Sequence, residues 1–375
     1  MSRNFDVGVV GLGALGAAVA WRLARSGVRV VGFDSYAPPH SLGSTHGRSR
    51  IIREAYYEHP SYVPIVQEAY RLWAELEAAA GTRVFQACGG LMVGAPDSEL
   101  IRGARDSARQ HALPVEEWSA GDITARVRTL CPTGDMVGLF EPRAGVLDPE
   151  NAVRAMLGQA AHHGADLRFG QPIREWSQTS GGLRLVSEDD SATDVGQVVV
   201  AAGGWLPALV QELTLPLQIE RAVQFWFPRA VDDRFSPARF PVFLLERTDG
   251  RLLYGLPDQG HGLKLAEHHH GEVGPLASLR RDVTPDETAS FLSFARPWVS
   301  GLPSPSSSAV CFYTNTPDGH FIVDRHPRQP EVYLVSACSG HGFKFAPALG
   351  EIVAGELRGA TSALLAQFRL SRFTG

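Results

Sequence analysis

VGVVGLGALG (residues 7–16) is a short apolar run that passes into three glycines at a fixed spacing. The segment 7–10 predicts a buried strand, and the apolar positions after the glycines predict a helix. Gly11 permits a tight turn, Gly13 lets the backbone approach a pyrophosphate, and Gly16 lets the helix pack close to the strand. The stretch therefore predicts a strand–turn–helix unit that binds a dinucleotide at the helix N-terminus.

An acidic residue follows at the position that completes this pattern. Gly27 is placed to end the helix, and Val28–Phe33 predicts a second strand. Asp34 lies 23 residues beyond Gly11, where its carboxylate can accept hydrogen bonds from ribose hydroxyls. The pattern alone does not separate NAD from FAD, so both cofactors stay open at this point.

Hydrophobic periodicity places further elements along the chain. The predicted elements are helices at 64–79, 149–164 and 346–358 and buried strands at 198–202 and 332–337. The polar segment PSPSSS (303–308) predicts a loop in which the chain crosses between two domains.

Length and composition are typical of a two-domain globular protein. The 375 residues are 44% hydrophobic and 20% charged, which is ordinary for such a protein. The net charge of −5 provides no basic surface, so we expect no nucleic-acid partner. No apolar run reaches the about 20 residues that a membrane helix needs, and glycines interrupt the apolar segment 7–21 where a signal peptide would favour leucine. We therefore expect no membrane partner.

The cysteines are scattered, with no pair at CxxC spacing. They are Cys88, Cys131, Cys311 and Cys338. This pattern supports neither a disulfide framework nor a zinc site and is typical of a reducing compartment. It predicts a cytoplasmic protein without a metal.

Four blocks of sequence carry a resemblance that is far more specific than the glycine turn. The blocks are SLGSTHGRSRIIREAYYEHPSYVP (41–64), LLYGLPDQGHGLKLAEH (252–268), AVCFYTNTPDGHFIVDRHP (309–327) and SGHGFKFAPALGE (339–351). In this order they resemble the monomeric sarcosine oxidase and N-methyltryptophan oxidase family, flavoenzymes of the D-amino-acid-oxidase superfamily. The resemblance spans most of the chain, and it implies FAD as the cofactor and a monomer as the active form.

The resemblance also implies an α/β fold, α+β overall, in which the chain crosses between two domains several times. One is an FAD-binding Rossmann-like domain of the glutathione-reductase and D-amino-acid-oxidase type. The other is a substrate domain with a mainly antiparallel β-sheet. The expected FAD-binding domain is discontinuous, with residues 1–85, 148–213 and 315–375, and the substrate domain comprises 86–147 and 214–314.

Cys311 is the residue that the resemblance singles out for the cofactor. In the family, the cysteine of the matching C-x-Y segment forms a thioether with the 8α carbon of the flavin. That chemistry requires an ionised sulfur as the nucleophile. Taken without the resemblance, Cys311 reads as a small buried core residue, the common fate of a free cysteine. Cys338 is expected to serve packing.

Two basic residues match the family's carboxylate-binding arginine and lysine. They are Arg53 and Lys344, and a buried substrate carboxylate requires such cationic partners. From composition alone, Arg53 could equally form a surface ion pair with Glu54 or Glu58. The apolar helix after Lys344 is also compatible with a lysine that only extends its charge to the surface.

Further residues of the blocks match the flavin environment and the substrate pocket of the family. Lys264 matches the lysine that activates oxygen near flavin N5, where a fixed positive charge stabilises developing negative charge. Arg50 matches an arginine against the flavin ring, and His268 matches a histidine beside the substrate. The remaining matches are Tyr254 and Tyr313 in the pocket, and His46, Ser49 and Gly342 at the cofactor.

Several of these matches have plainer interpretations. Lys264 could be an ordinary strand-edge lysine, and Tyr254 could be a half-buried core tyrosine. The triplet His268-His269-His270 could be a solvated loop or a metal chelator. Because no acidic or cysteine partner lies at metal spacing, we expect no metal site.

The resemblance implies an oxidase of a secondary-amine amino acid such as sarcosine. Its substrate would be a small amino acid, with hydride transfer to flavin N5, imine hydrolysis, and reoxidation by O2 to give H2O2. A close alternative is an oxidase of a cyclic or bulky N-substituted amino acid. Two further alternatives remain. An NAD-dependent dehydrogenase would be colourless, and a non-catalytic flavin-binding protein would be yellow with a spectrum that no amine bleaches.

Overall fold

The computed structural model of the chain describes residues 5–373. The strands are β1 (Phe5–Val10), β2 (Val30–Asp34), β3 (Arg50–Ile52), β4 (Phe85–Ala87), β5 (Gly90–Gly94), β6 (Glu116–Ser119), β7 (Val137–Glu141), β8 (Gly145–Leu147), β9 (Asp166–Phe169), β10 (Ile173–Thr179), β11 (Gly182–Ser187), β12 (Ala192–Val200), β13 (Gln218–Trp226), β14 (Val242–Glu246), β15 (Leu252–Leu256), β16 (Lys264–His268), β17 (Ser307–Asn315), β18 (Ile322–His326) and β19 (Gln329–Ser336). The helices are α1 (Ala14–Arg25), α2 (Val63–Ala80), α3 (Glu99–Gln110), α4 (Ala120–Arg126), α5 (Pro149–His162), α6 (Leu206–Leu209), α7 (Pro285–Ala295) and α8 (Ala346–Leu357).

The first large sheet has a parallel centre. Its strands run in the order β10-β11-β12-β1-β2-β9, and β19 pairs with β12 and with β18. The pairs of β1 with β2 and β12, of β2 with β9 and of β12 with β19 are parallel. Apolar residues of α1, α2, α5 and α8 pack into one core on this sheet. Because both faces of its central strands are buried, β1 and β12 read as continuous valine-rich runs.

The glycine turn after β1 is sterically required. A Cβ atom at Gly16 would lie 1.7 Å from the carbonyl oxygen of Gly11, so only glycine lets α1 pass this close to the turn. Gly11 has a φ of 88°, which L side chains rarely adopt, and a Cβ there would lie 2.6 Å from the Ala201 oxygen. The predicted strand, turn and helix are confirmed.

The second large sheet is mainly antiparallel, in the order β17-β13-β16-β15-β14-β5-β7-β6. Only the pair of β14 with β5 is parallel among the pairs in the described part of the chain. Helix α7 covers one face, where the Phe291 ring stacks on Phe225 of β13 with 4.4 Å between the ring centroids. The predicted α/β organisation, with one helix-covered sheet and one mainly antiparallel sheet, is confirmed.

A small sheet of order β3-β8-β4 lies where the chain passes between the large sheets. The chain leaves the first sheet after β2, enters the small sheet at β3 and β4, and continues into β5. It returns through β8 to α5, runs through β9–β12, and later passes once more into β13–β17 and back into β18. The boundaries of the two domains stay a prediction.

Most predicted elements agree with the structure to within two residues at each end. The predicted helices correspond to α2, α5 and α8, and the strand predicted at 332–337 corresponds to β19, which begins three residues earlier. The strand at 198–202 is longer than predicted, because β12 begins at Ala192 and ends at Val200.

The loop predicted at 303–308 is confirmed for residues 303–306, but the prediction is wrong for its last two residues and for the crossing between domains. Ser307 and Ser308 are the first residues of β17, paired with Trp226 and Phe225 of β13. The loop before them joins α7 to β17, and both elements belong to the second sheet. The serines are polar because the end of β17 is exposed, and their polarity does not mark a domain border.

Within residues 5–373, neither a helix suited to a membrane nor a side-chain cluster suited to a metal ion is present. In that range, no helix is long and apolar enough to cross a membrane. Over the same residues, no group of three or more His, Cys, Asp or Glu side chains is arranged to hold a metal ion.

Candidate functional site

A cavity of about 390 Å³ extends from the glycine turn to the second sheet. It begins at the carboxyl ends of β1 and β2, the edge of a parallel sheet at which ligands bind. The predicted site residues that line it are Gly11, Gly13, Asp34, Ser49, Arg50, Arg53, Tyr254, Lys264, His268, Cys311, Gly342 and Lys344. Tyr313 and Cys338 line it as well. The structure thus brings together residues that are more than 300 positions apart in the sequence.

The turn end of the cavity has the groups that a dinucleotide requires. Gly13 is the N-cap of α1 and has no side chain with which to cap the helix. Thr45 Oγ1 makes only a long contact of 3.4 Å with the Ala14 N–H, so the helix N-terminus can bind a phosphate. The buried Asp34 carboxylate accepts the backbone N–H of Leu12 at 2.8 Å and of Tyr36 at 2.9 Å. A carboxylate has about four acceptor positions, so it can also accept ribose hydroxyls. These residues fit the ADP part of FAD.

Cys311 lies in the cavity wall, where one buried polar atom lacks a partner. The cysteine is 2% exposed, and its Sγ accepts the Nε2–H of Gln224 at 2.8 Å. The other amide atom, Gln224 Oε1, has no hydrogen-bond partner among residues 5–373. A buried, unpaired carbonyl oxygen is unfavourable unless a bound group or water supplies a donor. This wall therefore fits a polar cofactor better than an empty core.

The loop before β3 is held by the side chain of Arg50. Its guanidinium donates to the backbone oxygens of Ser44 at 2.7 Å, His46 at 2.6 Å and Ser49 at 2.8 Å. These bonds fix the guanidinium in the cavity wall, and its contact with a flavin ring stays a prediction.

Two carboxylates from distant segments hold the chain on either side of β3. Glu150, in the first turn of α5, accepts the N–H of Gly47 at 2.8 Å and of Arg48 at 3.0 Å. Both residues have positive φ, 101° and 65°, so the loop is kept in an unusual conformation. Glu141 is fully buried and accepts the N–H groups of residues 54 and 55 at 2.8 Å each. The backbone around Arg53 is therefore rigidly placed.

Lys264 is a buried lysine whose side-chain nitrogen is aimed at that loop. Its Nζ donates to the carbonyl oxygens of Gly47 and Ser49, both at 2.9 Å. Burial and the nearby Arg50 hold the pKa of Lys264 well below its usual range. An ammonium has three donors, and these two bonds leave one for a group in the cavity. The interpretation of Lys264 as a strand-edge lysine in solvent is wrong, because the residue is 2% exposed.

The predicted carboxylate-binding residues lie on the same cavity wall, but Arg53 already has an anionic partner. Its guanidinium donates to both carboxylate oxygens of Glu58, at 2.7 and 3.0 Å, and to the Ala55 oxygen at 2.9 Å. The alternative of an ion pair with Glu58 is thus present, although Arg53 is buried and Glu58 is partly buried, so the pair does not lie at the surface. A substrate carboxylate would share Arg53 with Glu58.

Lys344 is buried in the 3₁₀ helix Phe343–Phe345. Its Nζ donates to the His341 oxygen at 2.7 Å and to the Tyr56 hydroxyl at 3.3 Å. Burial and the positive charge of Arg53 lower the pKa of Lys344 to about 7, against a partial opposite effect of Glu58. Since its charged end lies inside the protein, the alternative of a lysine that reaches the surface is wrong.

One imidazole and two aromatic rings complete the cavity wall beside Arg53 and Lys344. The Nδ1 of His268 lies 3.3 Å from the Tyr313 hydroxyl, and the Tyr254 ring stands edge-on to the imidazole. Burial and the neighbouring His269 hold the pKa of His268 well below its usual range, so the imidazole is neutral. A neutral imidazole can donate or accept one hydrogen bond without placing a further charge beside a substrate amine.

Gly16 and His46, both predicted to lie at the cofactor, are not among the residues that line the cavity. Gly16 acts through the close approach of α1 to the turn, as expected. His46 is buried, and its Nε2 has no partner within the described range; burial and Arg50 lower its pKa to about 4. The backbone oxygen of His46 accepts a hydrogen bond from Arg50, which lines the cavity.

Sequence reasoning missed three polar residues that shape the site. Thr45 lies beside the glycine turn, with its Oγ1 3.4 Å from the Ala14 N–H, and Gln224 and Glu150 hold Cys311 and the loop before β3. Gln224 interrupts the apolar pattern of β13, where a buried amide among apolar residues was the available signal. No local signal marks Glu150, since its partner Gly47 lies 103 positions away.

The low pKa of Lys344 predicts a pH dependence of carboxylate binding. Below about pH 7 the side chain is charged, and above it the free protein holds a neutral amine that attracts an anion weakly. A bound carboxylate favours the charged form, so binding takes up a proton. We expect the Kd of a carboxylate competitor without an amine to rise as the pH increases from 7 to 9, by up to about tenfold per pH unit. Calorimetric titration of the holoprotein measures it.

The control for this prediction is Lys344→Met. Its Kd should be larger than that of the wild type at pH 6, and the part of the pH dependence that is due to Lys344 should be lost. A wild-type Kd that stays constant from pH 6 to pH 9 would contradict the assignment.

Known proteins resemble the chain over nearly its whole length. A family model described as FAD dependent oxidoreductase matches residues 6–356. The chain is 40% identical over 361 residues to monomeric sarcosine oxidase of Streptomyces avermitilis, covering 94% of both sequences. It is 36% identical to N-methyl-L-tryptophan oxidase of Yersinia pestis, covering 99% of the chain and 100% of that protein.

Among solved structures, the fold is similar to that of NikD, an unusual amino acid oxidase essential for nikkomycin biosynthesis. The TM-score is 0.85, and the match covers 98% of each chain. The sequence identity is 21%, so this likeness concerns the fold alone.

Proposed function

Because the chain belongs to the family of FAD-dependent oxidoreductases, we propose that it is an oxidase of N-substituted amino acids, with FAD as its cofactor. The observation that carries the proposal is the single cavity that joins the dinucleotide turn to two buried cations. Gly13 and Asp34 form its nucleotide end, and Arg53 and Lys344 form its substrate end. The membership in an FAD-dependent family removes the nicotinamide alternative.

FAD, when bound, supplies the two-electron oxidation of the amine and the later reduction of O2 to H2O2. The residues of the chain bind and orient the substrate. Arg53 and Lys344 would hold the carboxylate, because both cations are buried and each retains hydrogen-bonding capacity. A fixed carboxylate directs the carbon next to the amine toward the part of the cavity between Lys264 and Cys311.

His268 and the two tyrosines would surround the amine in this arrangement. His268 is buried and neutral, so the amine can bind with its lone pair exposed toward the cofactor. The product imine is hydrolysed by water and requires no protein nucleophile. Lys264 would place its positive charge where O2 receives electrons, which stabilises developing negative charge.

The substrate class rests on the relatives. The two relatives are named for sarcosine and N-methyl-L-tryptophan, both secondary-amine amino acids of very different size. We propose the same class for this chain, with a cyclic or bulky N-substituted amino acid as the alternative within it. The cavity also has apolar lining that can receive the substituent on the substrate, provided by Ile51, Leu244 and Leu256.

A peroxide-release screen with the purified holoprotein distinguishes these substrates. Sarcosine, N-methyltryptophan, proline and pipecolate should be compared, together with the corresponding primary amino acids. Oxidation of a secondary amine, with kcat/KM at least about tenfold above that of its primary counterpart, supports the proposal; no peroxide from any of them would overturn it.

We further propose that FAD is attached covalently through Cys311. Its place in the cavity wall supports this, as does the resemblance of the segment 309–327 to the family's flavin-linked cysteine segment. The scattered free cysteines favour a location in the cytoplasm. The similarity to monomeric sarcosine oxidase favours a monomer.

Acid precipitation tests the covalent link directly. Wild-type protein should retain its yellow flavin in the precipitate, whereas Cys311→Ala should release essentially all of it, because no other bond survives denaturation. Absorbance of the supernatant near the flavin band measures the released fraction. Cys131→Ala, which removes an exposed cysteine, is the matched control and should retain the flavin. Free flavin from the wild type would contradict the proposal.

A further inference from the structure

We propose that Gln224 is a positioning residue that aligns the Cys311 sulfur for its bond to the cofactor and makes that attachment fast. The inference rests on the proposed function, since it concerns the link through Cys311. Gln224 belongs to none of the four blocks that resemble the family, and it is assigned from its contacts alone.

The strand register places the amide beside the sulfur. In the antiparallel pair of β13 and β17, Ala222 is directly opposite Cys311, and Gln224 is opposite Ala309. Gln224 is therefore the diagonal neighbour of Cys311 on the same face of the sheet, within reach of a long side chain. The Nε2–H of Gln224 points at Sγ at 2.8 Å, so the sulfur is the acceptor.

The side chain of Gln224 is buried in the cavity wall, where it can contact a bound ligand. The side chain is 1% exposed, lines the cavity, and its Oε1 has no partner among residues 5–373. An apolar residue of similar size would avoid that unsatisfied oxygen, so packing alone does not account for the amide. Gly47 makes room for it, because a Cβ at Gly47 would lie 2.3 Å from Oε1.

The contact has a direct consequence for covalent attachment. Thiolate sulfur is the nucleophile, and an N–H donor stabilises negative charge on its acceptor. The same bond fixes the direction of the sulfur, so that it faces the cavity in one orientation. Loss of this donor should therefore slow formation of the sulfur–carbon bond without abolishing the binding of FAD.

The attachment is balanced with O2 as the oxidant. The S–H bond of Cys311 and one C–H bond of the 8α methyl group break, and one S–C bond forms. The two electrons and two protons that are released pass to O2, giving H2O2. Cys-SH, the methyl group and O2 therefore yield the thioether and one H2O2.

The experiment follows the attachment in time. Full-length protein is produced in a riboflavin-limited host and incubated with FAD in air. Samples are precipitated with acid, and the flavin retained by the protein is measured at each time. The variants are Gln224→Leu, which removes donor and acceptor, and Gln224→Glu, which keeps the shape. Gln218→Leu is the matched control, because Gln218 lies in the same strand with an exposed side chain.

We expect attachment to be about ten- to hundredfold slower in both Gln224 variants than in the wild type, with an unchanged rate in Gln218→Leu. Equal rates in the wild type and the Gln224 variants would overturn the role of Gln224 and leave the proposed function intact. A wild type that never retains flavin would overturn the covalent link and the inference with it.

A second measurement applies even where a variant binds FAD poorly. Cys311 in the FAD-free protein faces the cavity, so iodoacetamide can reach it, and peptide mass mapping gives its alkylation rate separately from the other cysteines. This rate should also fall about ten- to hundredfold in Gln224→Leu relative to Gln218→Leu. An equal rate in the two variants would contradict the proposed alignment.

Discussion

Replacement of Lys264 by methionine is expected to slow the reaction of the reduced enzyme with O2 by about 100- to 1000-fold, the usual effect of removing one preorganised electrostatic group. Lys264 is the buried cation nearest the loop before β3, with its Nζ fixed by two carbonyl oxygens at 2.9 Å. Methionine keeps the length of the side chain and removes the charge. Reduction of the enzyme by substrate should change much less, because the carboxylate-binding cations are intact.

Stopped-flow absorbance separates the two half-reactions, first with substrate in the absence of O2 and then with O2 after full reduction. Arg48→Met is the matched control. Its guanidinium contacts the same Trp226 ring as the Lys264 ammonium, at 5.4 and 5.5 Å from the ring centroid. If Lys264→Met reacted with O2 at the wild-type rate, or if both half-reactions slowed equally, the proposed role of Lys264 would be wrong.

Removal of Arg53 is expected to lower kcat/KM for the amino-acid substrate about 100-fold or more, mainly through KM. Arg53→Met alone would leave the partly buried Glu58 carboxylate without its cation, which destabilises the protein by up to about 3–5 kcal/mol, the cost of breaking a fully buried pair. The informative variant is therefore Arg53→Met with Glu58→Gln, in which neither charge remains. The single variant Glu58→Gln keeps Arg53 and is its control.

Steady-state peroxide release with substrate at several concentrations measures both constants. Glu58→Gln should bind substrate at least as well as the wild type, because Arg53 no longer shares its donors with a second carboxylate. An N-methyl amine without a carboxylate should be oxidised at similar rates by the double variant and by Glu58→Gln. A double variant with an unchanged KM for the amino acid would remove Arg53 from the binding site.

The parts of the site that were predicted from sequence depend on local rules or on the resemblance. The family, the fold class and the kind of enzyme expected from the four blocks are confirmed. The glycine turn with Asp34 follows from backbone sterics over a few residues, so spacing alone was enough. Residues such as Cys311 and Lys264 were found only because a longer stretch around each resembles a known family.

The residues that were missed act across large sequence separations. Glu150 contacts Gly47, and Gln224 contacts Cys311 at a separation of 87 positions. Hydrophobic periodicity describes which face of a strand is buried, and it does not identify the strand that will pair beside it. The same reason explains why the predicted loop 303–308 ends two residues too late, since pairing with β13 extends β17 into a polar segment.

The interleaved path of the chain has a consequence for biosynthesis. The dinucleotide turn leaves the ribosome early, but β19 pairs with β12 only after residue 336 has been added, and α8 is complete for packing with α1 only after residue 357. A nascent chain that ends before this point lacks part of the wall, including Lys344. We therefore expect stable cofactor loading only when the polypeptide is almost complete, and we expect truncation from the C-terminal side to abolish flavin uptake before it removes any residue of the turn.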